Sequence, residues 1–323
     1  MATKIKFQLV TQGNFDGFVC AVLLKELDII DNIKFIYPRD VQNDKVKINS
    51  NDITTYLPYS LGAHLVFEHR MSEIIRISGQ KPDNYIIDPH APSVSRVVFN
   101  YYGGKKAFPN VSEEMIQAVD KINAAQFTRE EILSPKGAQF TREEILSPKG
   151  WVLFSFMTVP RSGLGRMKPF RISCYDFRFT LIDFCKNHTI EEILELPDVK
   201  ERIDLFFQHQ KVSIEQIKKC SKVHGNVVVV DLRHEDEIFL AANHLHDALY
   251  PECNVFIHVL WGLQKNKTVL VVNKSILERS AKTHIGELML EYGGAGHKNA
   301  GTCDVSNEEA ERILSEIINK IQR

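Results

Sequence analysis

Four side chains that can bind metal ions follow short apolar runs in the first part of this chain. They are Asp16, Asp52, His69 and Asp88. If the apolar runs form parallel strands, their carboxyl ends meet at one edge of a sheet and the four side chains gather there. A cluster of carboxylates with one imidazole suits Mn²⁺ or Mg²⁺ better than zinc or a softer metal. One such ion polarises a phosphoryl oxygen, and two ions together also generate a hydroxide and hold the attacking and leaving oxygens.

The first 125 residues predict the elements that position this cluster. Short apolar runs alternate with helical segments, which is typical of a mostly parallel sheet with helices on both faces. Strands are predicted at 5–10, 33–37, 46–48, 63–67 and 85–87, and helices at 18–27, 92–102 and 113–122. Asp16 precedes the first predicted helix, so its alternative role is to cap the free amides of that helix. Asp88 is similarly interpreted as a cap for the helix that begins near Pro92, a residue type favoured in the first helical turn.

Composition narrows the class of protein. The chain has 323 residues and a net charge of −1, which allows two domains and gives no overall field for nucleic acid. The six cysteines contain no Cys-x-x-Cys pair, so free thiols in a reducing compartment are expected. The sequence shows neither a signal peptide nor a long apolar span, and a cytoplasmic location without membrane contact is the expectation.

Two segments in the middle of the chain have unusual sequences. The 13 residues 125–137 are repeated without change at 138–150, and we expect one copy to form an insertion at the surface. Residues 156–171 contain four cations, Arg161, Arg166, Lys168 and Arg171, and no acid. This loop is either a solvated surface loop or a phosphate-contacting loop, and the sequence does not choose between them.

The last third of the chain predicts a second domain. Helices at 176–188, 190–196 and 199–222 lead into apolar β-rich runs at 226–231, 255–260 and 268–272, with helices at 235–248, 285–292 and 307–321. Near the end lies GGAGH at 293–297, followed by Lys298. Backbone amides in such a glycine-rich turn can approach and bind phosphate oxygens. The expected fold is therefore a two-domain α/β protein whose smaller C-terminal domain has a mixed sheet.

Five motifs resemble those of the DHH phosphoesterase superfamily, and specifically its exopolyphosphatase-related branch, over nearly the whole chain. They are TQGNFDG at 11–17, FEHR at 67–70, IIDPHAPSVSRVVFNYYGG at 86–104, AVDK at 118–121 and GGAGHKNAG at 293–301. The family joins a DHH domain to a DHH-associated C-terminal domain. The resemblance implies a metal-binding phosphoesterase domain at 1–185 with the duplication as an insertion, a helical linker at 186–222, and a substrate-binding domain at 223–323.

The resemblance also implies a partly altered metal centre with Mn²⁺ or Mg²⁺ as cofactor. One complete set of metal ligands corresponds to Asp16, Asp52, His69 and Asp120. A second set is weakened, because Gln12 and Asn14 stand where the family has a histidine and an aspartate, and neutral amides bind hard cations less well than carboxylates. The name-giving Asp-His-His is matched to Glu68-His69-Arg70, and Arg70 is interpreted as a phosphate-binding residue more than as a general acid.

The implied function is metal-dependent hydrolysis of a phosphodiester or phosphoanhydride bond in a cleft between the domains. Catalytic roles fall to Asp52, His69 and Arg70, and substrate binding to Arg70, Arg279, Gly293, Gly294, Gly296, His297 and Lys298. Short oligonucleotides are the first expected substrate and polyphosphate the second, and a homodimer is compatible with the sequence. The alternative is a catalytically decayed protein that binds a nucleotide or phosphate, which the changes at Gln12, Asn14 and Arg70 favour. A purely structural or partner-binding protein is a third hypothesis.

Overall fold

The structure is a computed structural model that describes residues 5–36, 38–42, 44–70, 82–124, 148–158, 170–239 and 245–322, together with residues 73 and 77. These residues divide into two compact units. The first runs to Ala124 and resumes at Lys149–Ile203, and the second is Asp204–Arg323. The first unit contains a parallel sheet and the second a mixed sheet, so the predicted two-domain α/β class is confirmed.

The first unit is built on five parallel strands in the order β2-β1-β3-β4-β5. The strands are β1 Phe7–Gln12, β2 Ile30–Ile36, β3 Asp52–Thr55, β4 Leu65–Glu68 and β5 Tyr85–Ile87. The helices are α1 Phe15–Glu26, α2 Pro38–Gln42, α3 Val94–Tyr101, α4 Glu113–Ala124, α5 Gly150–Thr158, α6 Cys174–Phe184 and α7 Ile190–Leu194. The chain places β2 on one side of β1 and β3 on the other, so the topology reverses there. Ligands of open parallel sheets bind at the carboxyl ends of the strands beside such a reversal.

Helix α1 lies deep in this unit and its start is closely fixed. Residues Phe18 to Leu24 are fully buried, because the helix is packed against α3, α4 and α6. A Cβ atom on Gly17 would lie 2.1 Å from the carbonyl oxygen of Gln12 and 2.5 Å from Oγ1 of Thr11. Only glycine therefore lets α1 begin this close to the end of β1, and the following side chains are held at the carboxyl edge of the sheet.

One predicted strand is wrong. Residues 46–48 are not a strand; Val46 and Ile48 pack as partly buried loop residues against a small core cluster. The third strand is instead Asp52–Thr55, whose β-branched Ile53, Thr54 and Thr55 suit a buried strand. Two apolar residues separated by one polar residue occur in packed loops as well as in strands. The pattern at 46–48 therefore could not distinguish a loop from a strand.

The second unit contains a six-stranded sheet in the order β10-β11-β9-β8-β7-β6, in which only the β7–β8 pair is parallel. The strands are β6 Ser221–His224, β7 Val227–Asp231, β8 Val255–Trp261, β9 Thr268–Lys274, β10 Ala295–His297 and β11 Ala300–Val305. The helices after the long α8 Pro197–Cys220 are α9 Leu245–Leu249, α10 Ile285–Leu290 and α11 Ala310–Ile321. Residues 235–239 are not helical, so the predicted helix at 235–248 begins too early, and residues 240–244 lie outside the described part.

A partly buried histidine on β8 gives this unit a predicted pH dependence. Burial lowers the pKa of His258 below its ordinary value of 6.5, and the charge of Asp247 offsets part of that effect. An imidazole with a lowered folded pKa binds fewer protons in the folded state, so its contribution to stability is complete above pH 6.5 and is lost as the pH falls towards the lowered value. We expect the unfolding free energy to fall less steeply between about pH 7.5 and 5.5 in a His258→Phe protein than in the wild type. Urea unfolding at both pH values measures the two slopes, and identical slopes would contradict the assignment.

Several sequence predictions concern residues outside the described part. They include most of the duplicated segment and the cations Arg161, Arg166 and Lys168. Arg171 is described and forms an ion pair with Asp198, which fits a surface role better than a phosphate contact. Within the described residues, no helix combines the length and apolar character needed to cross a membrane.

Candidate active site

The carboxyl edge of the parallel sheet meets the amino end of α3 at a buried carboxylate. Asp16, in the first turn of α1, is 1% exposed. Its Oδ2 accepts hydrogen bonds from the Val94 backbone at 2.9 Å and from Nδ2 of Asn123 at 2.6 Å. Its Oδ1 accepts from the Ser95 backbone at 2.7 Å and contacts the Ser95 hydroxyl. Asp16 therefore joins three elements and neutralises the positive amino end of α3.

The capping roles differ from the sequence prediction. Asn14, not Asp16, is the N-cap of α1, because its Oδ1 accepts from the backbone of Gly17 at 2.9 Å. The N-cap of α3 is Ser93 and not Asp88, whose Oδ1 accepts from the backbone of His90 instead. Asp16 accepts from the first backbone amides of that helix, 78 residues later in the chain. The side-chain oxygen of Asn14 therefore stabilises the start of α1. This capping role explains an asparagine at position 14 without the weak metal role that was inferred for Asn14 and Gln12.

Asp120 on α4 lies next to the same helix end. Its Oδ1 accepts from the Ser93 hydroxyl at 2.7 Å, and its Oδ2 accepts from Nε of Arg96 at 2.9 Å and from a second guanidinium nitrogen of that arginine. Burial raises the pKa of Asp120 above its ordinary value, Arg96 and Ser93 counteract this, and Asp16 adds to it. The structure thus brings Asp120 and Asp16 together, as the resemblance implied, with both carboxylates held by protein donors.

His69 lies at the end of β4 beside this helix end. It is 6% exposed, and its Nδ1 lies 3.1 Å from the carbonyl oxygen of Ala91. A carbonyl only accepts, so Nδ1 donates and the lone pair of the neutral ring is on Nε2. This is the usual arrangement of a histidine that binds a metal or accepts a proton. The Tyr56 ring, at the end of β3, lies beside it with centroids 5.7 Å apart.

The residues on either side of His69 form a buried ion pair. Glu68 is fully buried, and its Oε1 accepts from Nε of Arg70 at 3.0 Å and from the backbones of His69 and Arg70. Burial alone would lower the pKa of Arg70, but the hydrogen bonds and charge of Glu68 raise it above its ordinary value. The guanidinium also lies 4.8 Å from the centre of the Tyr56 ring. Tyr56 has φ of 59°, a conformation that strains an aromatic residue and is found mostly at functional sites.

Asp52 does not join this group, which corrects the expected cluster. It is the first residue of β3 and pairs with Gln8, whereas Thr55 at the other end of β3 pairs with Thr11. Three residues of strand separate it from the carboxyl edge, which is about 10 Å. Its oxygens accept from the Gln8 side chain at 2.8 Å and from the Asn49 backbone at 2.8 Å. The expectation assumed a strand at 46–48 that ends before Asp52, and the strand begins at Asp52 instead.

This placement predicts how an Asp52→Ala protein behaves. The change removes two hydrogen bonds at 1% exposure and should lower the unfolding free energy by about 1–3 kcal/mol. Its kcat/KM on any substrate should stay within about twofold of the wild type, because Asp52 lies at the opposite edge of the sheet. Steady-state kinetics below the unfolding temperature tests this. Loss of activity in a folded Asp52→Ala protein would restore Asp52 to the site.

The side chains do not form the metal centre that the resemblance implied. Of the four inferred ligands, Asp52 is at the wrong edge, and the oxygens of Asp16 and Asp120 all accept hydrogen bonds from the protein. Among the described residues, no group of three or more His, Cys, Asp or Glu side chains is arranged to hold a metal ion. The assigned donor set therefore does not fit a divalent cation, and Mn²⁺ or Mg²⁺ stays a prediction from the resemblance.

Sequence reasoning gave Glu68 no ligand role, and it placed Asp88 in the first cluster but not in the ligand set implied by the resemblance. Glu68 was matched to the first residue of Asp-His-His. Its carboxylate lies at the end of β4 and accepts hydrogen bonds from His69 and Arg70. Asp88 follows β5 directly, and its backbone donates to the carbonyl of Glu68 at 3.2 Å. Asp88-Pro89-His90 keeps the first and last residues of Asp-His-His, so it is a second candidate for that motif. An Asp-x-His directly after a predicted strand was the signal that could have identified it. Tyr101 and Tyr102 pack against Phe67.

In the second unit, the GGAGH sequence forms a hairpin instead of an open turn. Residues 295–297 form β10, which pairs antiparallel with β11. A Cβ on Gly294 would lie 2.2 Å from the Thr302 carbonyl oxygen, and one on Gly296 would lie 2.5 Å from that of Ala300. These two glycines are thus required by packing, whether or not they also contact a substrate. Gly293 has φ of 71°, which glycine adopts without strain.

Two partly buried cations follow one another at the end of β9 and in the loop after it. The first, Lys274, lies beside this hairpin. The backbone of Lys274 donates to Asn299 at 2.8 Å, and burial followed by the charge of Lys298 lowers the pKa of its ammonium group. Arg279 donates from Nε to the Ile276 carbonyl at 2.8 Å, and burial lowers the pKa of its guanidinium. Within the described residues no carboxylate forms a salt bridge with Arg279. Partly buried cations with lowered pKa values are stabilised when an anion binds, and Lys274 is a member of this group that the sequence did not indicate.

Solved structures resemble this chain over its whole length. The pGpG-specific phosphodiesterase PggH from Vibrio cholerae is 46% identical, with a TM-score of 0.86, and the match covers 98% of this chain and 99% of that one. RecJ in complex with Mn²⁺ from Thermus thermophilus is 11% identical, with a TM-score of 0.50, over 98% of this chain and 52% of that one, which shows a shared fold alone. No family model and no curated protein sequence matches the chain.

The 46% identity to a phosphodiesterase over 98% of the chain identifies a two-domain α/β phosphohydrolase. The chain belongs to the DHH phosphoesterase superfamily. The resemblance inferred from the motifs is thereby confirmed. Of the three hypotheses drawn from the sequence, the enzyme is the one that the similarity supports.

Proposed function

We propose that this chain is a phosphodiesterase that hydrolyses short 5′-phosphorylated dinucleotides, with pGpG as the preferred substrate. The observation that supports this most strongly is the 46% identity to a pGpG-specific phosphodiesterase over 98% of the chain. A dinucleotide is the shortest oligonucleotide, so the proposal is a narrower form of the substrate expected from sequence. Polyphosphate remains a second candidate from the resemblance, without an observation in its favour. A cytoplasmic location is proposed with it, because the six cysteines are all free thiols, as expected in a reducing compartment.

The reaction is hydrolysis of one phosphodiester bond. A water oxygen attacks the internal phosphorus, the bond to the 3′-oxygen breaks, and that oxygen takes up a proton, so pGpG and water give two molecules of GMP. The rate depends on neutralising negative charge that develops on the phosphoryl oxygens. Positioned arginines supply this through two parallel hydrogen bonds, without a change in their own protonation.

Two arginines have properties that suit binding of the two substrate phosphates. Arg70 keeps three N–H protons beyond the bonds from Nε and Nη2 to Glu68, and 29% of its side chain is exposed. Arg279 lacks a salt bridge to a described carboxylate, and burial lowers the pKa of its guanidinium, an effect that the charge of Asp247 only partly offsets. His69 is proposed to take up or deliver a proton through Nε2, because its Nδ1 is held by Ala91. No step is assigned to a metal, since the inferred ligands do not form a donor set.

The test is release of GMP from pGpG, measured by chromatography with Mn²⁺, with Mg²⁺ and with EDTA. The same assay includes other linear dinucleotides, longer RNA, cyclic dinucleotides and polyphosphate. Arg279→Ala serves as the site variant and Asp52→Ala as its matched control, because both remove one charged side chain and only the first removes a proposed phosphate contact.

We expect pGpG to be hydrolysed faster than any other member of the panel. Arg279→Ala should raise KM for pGpG about tenfold or more, and Asp52→Ala should have wild-type kinetics. Faster hydrolysis of polyphosphate than of any dinucleotide, or no GMP release by the folded protein under all three metal conditions, would overturn the proposal.

A further inference from the structure

A fully buried carboxylate in the second unit lies next to the loop that contains Arg279. Asp247 on α9 is 0% exposed, and its Oδ1 accepts the backbone N–H of Ile276 at 2.8 Å. Its Oδ2 lies 3.1 Å from Nε2 of His246. Burying a carboxylate has a high free-energy cost, so a position of this kind indicates a specific role in the fold or at a site. Neither the family motifs nor the proposed reaction uses it.

The backbone of Ile276 connects this carboxylate to the arginine. Its N–H is held by Asp247, and its carbonyl accepts from Nε of Arg279 at 2.8 Å. The N–H and the carbonyl belong to the two successive peptide groups on either side of the Ile276 Cα. Because each of these groups makes one hydrogen bond, a change of φ or ψ at Ile276 would break one of the two bonds.

The rest of the loop is fastened in the same manner. The Ser275 hydroxyl accepts from the backbones of Leu277 at 3.1 Å and Glu278 at 2.9 Å. Asn254 accepts from the Ser275 backbone at 2.8 Å and donates to the Ser280 hydroxyl at 2.8 Å. Residues 275–280 are therefore fixed at both ends. Two charged side chains of the loop are bound to its own backbone: Glu278 accepts from the Ser280 N–H at 2.9 Å, and Arg279 is the cation.

We propose that Asp247 is a positioning residue for Arg279 and acts through the backbone of Ile276. The inference rests on the proposed function, in which Arg279 binds a substrate phosphate. With Nε bound to Ile276, the plane of the guanidinium is set and its two terminal nitrogens face the same direction. A guanidinium fixed before the substrate arrives loses less side-chain entropy on binding a phosphate, so the effect appears in substrate affinity.

The test uses three variants of Asp247 and one matched control. Asp247→Ala removes the acceptor, Asp247→Ser leaves a hydroxyl too short to reach Ile276, and Asp247→Asn keeps an oxygen acceptor in the same place. The control is Thr268→Val, which removes the hydroxyl of another fully buried residue and its hydrogen bond to Asn307. Thr268 begins β9 and Ser275 follows its end, so the control lies about 20 Å from the loop.

We expect Asp247→Ala and Asp247→Ser to raise KM for pGpG about tenfold while kcat changes less than about threefold. Asp247→Asn should recover most of the affinity, and Thr268→Val should leave KM unchanged at a comparable loss of stability. A folded Asp247→Ser protein with wild-type KM would overturn the inference. So would an Asp247→Asn protein that is as impaired as Asp247→Ala, because the hydrogen bond would then not be the route.

A second measurement is independent of the substrate. The rate at which phenylglyoxal modifies Arg279, followed by peptide mass spectrometry without substrate, reports how firmly the guanidinium is held. We expect a severalfold faster rate in Asp247→Ser and a wild-type rate in Thr268→Val. If the wild type does not hydrolyse pGpG, the proposed function fails and this rate still decides the positioning role. An unchanged rate in Asp247→Ser would overturn it.

Discussion

An Asp16→Ala protein is expected to lose about 3–5 kcal/mol of unfolding free energy and to show no phosphodiesterase activity. The carboxylate is 1% exposed and accepts from two backbone amides, one side-chain amide and one hydroxyl contact. Its removal leaves buried donors of Val94, Ser95 and Asn123 without an acceptor, and each such group costs about 1–3 kcal/mol. It also takes a negative charge away from the amino end of α3.

The measurement is urea unfolding followed by circular dichroism, with activity assayed on pGpG. Asp183→Ala is the matched control, because Asp183 is an aspartate of the same unit whose only described role is an exposed ion pair with Lys25 at 2.9 Å. A surface pair of this kind contributes less than about 1 kcal/mol. Asp16→Asn should be nearly as damaging as Asp16→Ala, since its NH₂ group would face a backbone donor. Stability losses of the same size in Asp16→Ala and Asp183→Ala would contradict the structural role of Asp16.

An Arg70→Met protein is expected to be destabilised by about 3–5 kcal/mol, because it leaves the carboxylate of Glu68 buried without its cation. Glu68 is fully buried and forms its ion pair with Arg70 through two guanidinium nitrogens. Methionine keeps most of the side-chain volume and the contact with the Tyr56 ring. The loss therefore reports the charge rather than the packing.

A double-mutant cycle separates the stability role of Arg70 from its role in substrate binding. Changing Glu68→Gln in the Arg70→Met background removes the carboxylate that binds two nitrogens of Arg70, so a large part of the lost unfolding free energy should return. Glu73, whose carboxylate lies 4.0 Å from the guanidinium, keeps its charge in both variants. Activity on pGpG should not return, because the guanidinium proposed to bind phosphate is still absent. A double variant that regains both stability and kcat/KM would show that Arg70 serves only to neutralise Glu68.

Most strands and helices could be predicted from the sequence, because they depend on the types and spacing of neighbouring residues. Alternating apolar strands and helices predicted the parallel sheet, and the start and end of β5 were predicted without error. The position of α1 at the end of β1 was also predicted, with its start three residues late and its end one residue late. These features follow from propensity and periodicity, which are properties of neighbouring residues.

The motif residues of the site were accessible in part. Asp16, His69 and Asp120 were singled out from sequence, and the structure brings all three to the amino end of α3. Asp52 was grouped with them because one short strand was placed too early. In a parallel sheet, such a displacement moves a residue from the carboxyl edge to the amino edge.

What sequence by itself determined is therefore the family, the α/β class and most residues near the sheet edge. Only the tertiary structure decided their partners: the donors to Asp16 lie 78, 79 and 107 residues away, and the acceptor that orients His69 lies 22 residues away. The link from Asp247 to Arg279 likewise passes through the backbone of Ile276, which is 29 residues from Asp247 in the chain. Local patterns cannot encode such contacts, because hydrogen bonds between elements depend on strand order, register and the packing of helices over the sheet.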